Sequence, residues 1–292
     1  MARIIPGEIQ TRDLHQFLVA SVAPRPIAFV STVDEDGHPN LAPYSFFNVF
    51  SSNPPILVFS SNRRVLDNTT KDTLANIKST RECVVNVVNH DIVRQMAVTS
   101  VQFDTGVNEF EKSGLTPEAS EFVKAFRVAE SPVQMECKVR DIQALGDQGG
   151  AGHLIICDVV CMHIKDEIID ESGRIDPHKI DLMGRLGRAY YTRAQGDAIH
   201  TIVQPVTKLV IGYDALPKLA KESKELTANE LGQLAGNYEL PNQEQLSELK
   251  MDESVQQILI ADDDSFWKEI KELLAKDERQ KALSMIILKE DS

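Results

Sequence analysis

Between Ala42 and Thr73 the chain gathers side chains suited to a planar ligand with a phosphate tail. The run APYSFFN supplies Tyr44, Ser45, Phe46, Phe47 and Asn48, and ILVFSSNR ends in Ser60, Ser61, Asn62 and Arg63. Lys71, Asp72 and Thr73 then open a segment whose apolar residues fall at helical spacing. The division of labour is physical. A strand such as Ile56–Phe59 can be buried in a core, and where it stops, hydroxyls, carboxamides and loosely paired backbone N–H groups form a rim that can hydrogen-bond a ring system. A few residues on, a helix N-terminus beside a lysine favours a phosphate. The same residue types also serve plain structure, with Asp72 or Thr73 as a helix cap.

The elements that must position these residues follow from patterning. A short amphipathic helix is expected around Asp13–Ala20. Ile27–Val33 reads as a strand, and Asp34-Glu35-Asp36-Gly37 as a hairpin turn with Gly37 at its positive-φ position. Further strands are expected over His38–Val49, Pro54–Ser60 and Glu82–Val88, then over Val133–Leu145 and His153–Lys165. The Gly-rich link Gly146–Gly152 lacks G-x-G-x-x-G spacing and feeds a strand, so it reads as a hairpin tip. Asp91–Val98 and Thr116–Phe126 read as helices, and the polar Gln102–Thr116 as a cover over the site. Short strands joined by hairpins with few helices imply a closed or partly closed antiparallel barrel.

Beyond Val206 helix formers take over, in Ala215–Lys224, Thr227–Ala235, Gln243–Leu249 and Asp264–Lys276. The chain therefore divides into a barrel domain, 1–205, and a helical C-terminal extension, 206–292. Asp264 or Ser265 is expected to cap the last helix. Its stripe of Phe266, Ile270, Leu273 and Leu274 needs an apolar partner, read as the barrel, a dimer or a docking protein.

With 42% hydrophobic residues, the 292-residue chain can bury a sizeable core. Its net charge of −13 argues against nucleic acid and anionic membrane, both of which draw on clustered Lys and Arg. No apolar run approaches the roughly 18 residues of a membrane span and no leader is visible, so a cytoplasmic location is expected. Cys83, Cys137, Cys157 and Cys161 make no C-x-x-C pair and read as reduced, buried residues, with Cys157 and Cys161 on one sheet face. The histidines show no H-x-H or H-E-x-x-H, so no metal is expected.

PRPIAFVST at 24–32, PNLAPYSFFN at 39–48, RRVLDNTTKDTLANI at 63–77 and CVVNVV at 83–88 together resemble the flavin reductase-like family of FMN-binding split β-barrels. That family includes flavoredoxin-type proteins and the reductase components of two-component monooxygenases. The resemblance covers about Pro24 to Arg193 and implies a mainly β (α+β), Greek-key antiparallel split barrel. It places Tyr44–Asn48 and Ser60–Arg63 around the isoalloxazine and ribityl chain, with Lys71 and Thr73 toward the phosphate. Asp72 goes to the cap or a ribityl hydroxyl, and backbone amides of Arg25–Thr32 also serve the flavin. His178, Arg185 and Tyr190 are candidates for contact with flavin or nicotinamide, His178 being equally readable as a surface turn residue. Arg188 stands where a small residue is expected.

The implied activity is NAD(P)H-dependent flavin reduction, with NADH or NADPH as donor and electrons passing through flavin N5 to free flavin or another acceptor. No protein nucleophile is required, and no catalytic residue is assigned. The alternatives are a flavoredoxin-like electron carrier, or a reductase component docking to an oxygenase or electron-transfer protein. A homodimer is also implied.

Overall fold

Seven strands organise the first part of the chain, in a computed structural model that describes residues 1–202 and 207–292. After helix α1 (Thr11–Ser21) come β1 (Ala28–Val33), β2 (Pro39–Tyr44), β3 (Phe47–Ser52) and β4 (Pro55–Ser60). Helix α2 (Asp72–Thr80), β5 (Glu82–Val87), α3 (Val93–Val98) and α4 (Glu109–Ser113) follow. Next are the short β6 (Pro117–Glu118) and β7 (Arg127–Val128), and the long β8 (Val133–Ala144) and β9 (His153–Ile164). Helix α5 (Pro177–Ile180) and the pair β10 (Met183–Arg185) and β11 (Tyr191–Arg193) complete the unit Met1–His200.

The main sheet runs β2-β1-β5-β8-β9-β4-β3, with every neighbouring pair antiparallel. Its two edges, β2 and β3, are consecutive in the chain and joined only by Ser45 and Phe46. In a flat sheet those edges would stand about 29 Å apart at ~4.8 Å per strand, far beyond the reach of two residues. The sheet must therefore roll. Accordingly the Tyr44 ring of β2 meets the Phe59 ring of β4 at 5.2 Å, although four strands separate them in the ladder. Ala28, Val30, Phe59, Val85, Cys137 and Ile155 from five strands share one interior core. This is a split β-barrel.

Three expectations are corrected by this geometry. His38–Val49 is two strands, because the chain crosses from one sheet edge to the other at Ser45-Phe46, where no Gly or Pro signals a break. Thr116–Phe126 forms no helix; β6 and β7 pair, and the segment between them lies under the carboxylate of Glu136. That fully buried carboxylate accepts from the backbone N–H of Glu121 (2.9 Å), Phe122 (2.6 Å) and Val123 (3.2 Å), groups a helix would have used for itself. Cys157 and Cys161 do not share a face. Glu136 pairs with Cys161 but Cys137 with Val159, so one extra β9 residue reverses the alternation: Cys157 points into the core and Cys161 toward Glu136.

The unit Thr201–Ser292 is helical. The expected boundary after residue 205 falls on residues 203–206, outside the described residues. Its helices are α6 (Lys218–Glu222), α7 (Ala228–Ala235), α8 (Gln243–Met251), α9 (Glu253–Leu259), α10 (Asp263–Ala275) and α11 (Arg279–Glu290), of which α9 and α11 were not foreseen. Asp262, rather than Asp264 or Ser265, caps α10 by accepting from Ser265 N–H. The stripe Phe266, Ile270, Leu273 and Leu274 is buried with Trp267 against Leu234, Val255, Leu283 and Ile286 of the same unit. The apolar partner expected from the barrel, a dimer or a docking protein is found here in the helices of its own unit. Among the described residues no helix is long and apolar enough to cross a membrane.

Candidate functional site

A cleft of about 160 Å³ opens at the start of α2, lined by Asn40, Arg64, Lys71, Asp72, Thr73 and Glu109 together with Thr99–Phe103. Lys71 occupies the N-cap position and makes no side-chain cap. Asp72 accepts from Thr105 Oγ1 at 3.3 Å, and Thr73 Oγ1 donates to Asn40 Oδ1 at 2.7 Å. Neither caps the helix, so its positive end is left without a side-chain acceptor. The Lys71 ammonium lies 4.7 Å from the Tyr44 ring centroid, and among the described residues it has no ion-pair partner. Burial, then neighbouring Arg64, lowers its pKa, with Glu109 opposing.

Beside this cleft the buried Tyr44 Oη and Ser61 Oγ reach no partner at full hydrogen-bond geometry among the described residues, although the Thr73 and Ser61 hydroxyls lie close to the phenol. Burial pushes the Tyr44 phenol up to about 12 despite the nearby Thr73 and Ser61 hydroxyls, so it stays protonated. Such orphaned groups are costly unless something accepts from them. Glu109 is also buried. Desolvation raises its pKa, resisted by the Leu41 N–H and the Asn40 carboxamide, each donating at 3.0 Å.

At the end of β4, Ser60 Oγ donates to Asn62 Oδ1 (2.8 Å) and Asn62 Nδ2 to Gly150 O (3.3 Å). The hairpin tip holds this pair closely, since a Cβ on Gly152 would lie 2.5 Å from Ser60 Oγ. Arg63 turns away, spending its guanidinium on Asn68 Oδ1 (2.6 Å) and Asn68 O (2.8 Å). Its neighbour Arg64 takes the cleft position instead, anchored to Thr69 Oγ1 (2.7 Å) and Thr70 O (2.9 Å).

A second, apolar cavity of about 330 Å³ lies at the strand break, among Leu18, Val22, Pro24–Pro26 and Ser45–Asn48. Phe47 packs against the barrel core, while Phe46 stands 6.0 Å from the His15 ring. Arg25, whose side chain had no assigned part, is buried here and bonded to carbonyls: Val22 O at 2.8 Å, Leu186 O at 3.0 Å, and Val19 O. Its Nε also lies 3.4 Å from Ser45 Oγ. Burial, then Arg185, lowers its pKa. An arginine between two prolines gives no sequence signal of such burial. Arg185 pairs backbone-to-backbone with Arg25 and stacks 4.5 Å from the Tyr191 ring. His178 is exposed on α5, Tyr190 is 65% exposed, and neither lines either of these two cavities. Arg188 adopts a left-handed φ of 55°. The close approach belongs to Gly187, where a Cβ would lie 3.1 Å from Ala20 Cβ.

Elsewhere Glu136, Cys161 and His163 bring ligand atoms within 4.8 Å of one another. Three backbone N–H groups and His163 Nε2 (2.7 Å) already occupy the Glu136 oxygens, so the cluster is a clamp on the Glu121–Val123 strap.

A rolled antiparallel sheet with a cleft of mixed charge at a helix start and an apolar cavity at its strand break defines a split barrel with a candidate ligand site. Residues 20–183 match the model of the flavin reductase like domain, and the chain belongs to the flavin reductase-like family. It is 42% identical over 184 residues to an uncharacterised protein of Aquifex aeolicus, covering 63% of this chain and 91% of that one. Nitrilotriacetate monooxygenase component B from Bacillus cereus superposes with a TM-score of 0.64 at 31% identity, over 69% of this chain and 98% of that chain. The 2-nitrobenzoate 2-nitroreductase of Pseudomonas fluorescens gives 0.62 at 28% identity, over 70% and 98%.

Proposed function

We propose that this chain is an FMN-dependent oxidoreductase that takes electrons from NADH or NADPH and passes them to free flavin or another small acceptor. The observation that carries the reading is the pair of buried hydroxyls, Tyr44 and Ser61, beside an ammonium that has no ion-pair partner among the described residues, at a helix start without a side-chain cap. These residues fit a group with a phosphate at one end and hydrogen-bonding oxygens along its length. Lys71 and Arg64, with the first N–H groups of α2, would hold the phosphate. Tyr44 and Ser61 would meet ribityl or ring oxygens, and the Ser60–Asn62 pair would fix the rim between them. Phe46, Phe47, Pro24 and Pro26 would exclude water around the ring, with Arg25 holding Ser45 and the end of α1 in place. A bound flavin supplies hydride acceptance and release, so the protein's task is binding, orientation and shielding.

The similarity to a monooxygenase component B favours a second reading, in which the acceptor is an oxygenase partner; a flavoredoxin-like carrier is the other alternative. Visible absorbance of the purified protein, followed by anaerobic titration with each nicotinamide, separates these. Rapid bleaching by one nucleotide supports the reductase, and stable colour without bleaching supports the carrier. Colourless protein that neither binds FMN nor consumes nicotinamide removes both.

A cytoplasmic homodimer completes the proposal. Edge strand β3 leaves Val49 and Phe50 exposed (61% and 68%), close in sequence to Phe46 and the cavity it shares with Leu18 and Val22. Unpaired apolar edges of this kind call for a cover. A second copy is expected to supply it, and Phe50→Asp should convert a dimer seen by light scattering into a monomer.

A further inference from the structure

Glu109 opens α4 and sits against the open edge of β2, 7% exposed. Its Oε2 accepts the Leu41 N–H, which β2 would otherwise leave unpaired, and its Oε1 accepts Asn40 Nδ2, both at 3.0 Å. An ionised carboxylate can only accept, so the Asn40 carboxamide must turn its nitrogen to Glu109. Its oxygen then faces the other way, 2.7 Å from Thr73 Oγ1 and 3.5 Å from Thr32 Oγ1. Thr32 already receives Asn76 Nδ2 at 3.1 Å. The Thr73 hydroxyl has one proton, and an oxygen that can only accept lies 2.7 Å away. The proton goes to Asn40, leaving only lone pairs for anything else.

We propose that Glu109 is a positioning residue: acting through Asn40, it holds the Thr73 proton away from the cleft, so a phosphate there is bound by Lys71, Arg64 and backbone N–H groups but not by the Thr73 hydroxyl. This rests on reading the cleft as the phosphate site. It has a sharp consequence for Glu109→Gln. The glutamine oxygen must stay with Leu41 N–H, so its NH2 faces Asn40. The Asn40 carboxamide then turns over, and its nitrogen faces Thr73. Thr73 Oγ1 becomes an acceptor and its proton is free to enter the cleft. A single substitution would reverse the polarity of the whole chain of hydrogen bonds.

The test is a double-mutant cycle in the full-length protein, with FMN and riboflavin affinities measured for wild type, Thr73→Val, Glu109→Gln and the double variant. The quantity read is the ratio of riboflavin to FMN dissociation constants, which cancels effects on folding and ring binding common to both flavins. Thr73→Val should change this ratio by less than about twofold in the wild-type background, but lower it about three- to tenfold in the Glu109→Gln background, the worth of one neutral hydroxyl bond. Equal losses in both backgrounds would show that Thr73 donates to the phosphate regardless of Glu109 and would overturn the proposal. Should Glu109→Gln fail to fold, Thr73→Val alone decides, because a loss of about threefold or more in the wild-type background contradicts the assigned hydrogen-bond direction. A wild-type ratio near one would instead remove the phosphate reading itself, and the proposal with it.

Discussion

Lys71→Ala is expected to weaken FMN about ten- to a hundredfold while leaving riboflavin within about twofold, because a charge-assisted bond is worth about 1.5–3 kcal/mol and riboflavin carries no phosphate. The ammonium is held over the Tyr44 ring in a partly desolvated cleft and has no ion-pair partner among the described residues, so an incoming phosphate need displace no salt bridge. Removing the side chain also removes its contact with the Tyr44 face, but that loss falls on both flavins and cancels in their ratio. The pH dependence has a definite sign. Burial and Arg64 lower the Lys71 pKa in the free protein, and a bound phosphate would raise it again. FMN affinity should therefore fall as pH rises through the free protein's lowered value, while riboflavin affinity should not. Paired fluorescence titrations with the two flavins at several pH values check both statements. Equal losses for both flavins would move the phosphate away from this cleft.

Glu136→Ala is expected to cost about 3 kcal/mol, since it strips the acceptor from buried N–H donors at Glu121, Phe122 and Val123 and from His163. For a unit of this size that is about 6–12 °C in melting temperature. Burial alone would raise the carboxyl pKa, but the Glu121 N–H, His163 and the Phe122 N–H outweigh it and hold the value below the ordinary carboxylate range. Between the lowered folded value and the ordinary unfolded one, the unfolded chain binds a proton that the folded one resists. The contribution is thus complete above the unfolded pKa and lost as pH falls through the folded one. Melting curves of wild type and variant should converge on going from neutral to acid pH. A gap independent of pH would mean that the strap is held by packing and not by the carboxylate's charge.

Much of the barrel was readable from local pattern. Ile27–Val33, Pro54–Ser60, Glu82–Val88 and the long pair around Gly146–Gly152 each carry β-forming residues between turn signals, and each appears as a strand within a residue or so. The family motifs between Pro24 and Val88 likewise pointed to Lys71, Asp72 and Thr73, which do line one cleft. These properties depend on residues close together in the chain, where propensity, periodicity and turn chemistry act directly.

What the tertiary structure decided depends on neighbours brought from far away. The break at Ser45-Phe46 exists because a rolled sheet has to carry the chain from one edge to the other. The failure of Thr116–Phe126 to form a helix comes from Glu136, whose carboxylate claims the necessary N–H groups from another strand. A bulge opposite Glu136 and Cys137 sends Cys161 to the other face from Cys157. Arg64 rather than Arg63 reaches the cleft because Asn68 takes the first guanidinium, and Thr73 meets Asn40 instead of capping its own helix. Residue types and helical or strand periods determined which side chains could bind a phosphate-tailed ring. Only the fold determined which of them have lone pairs and protons to spare, because a hydrogen-bonding group is available to a ligand only when no distant part of the chain has already claimed it.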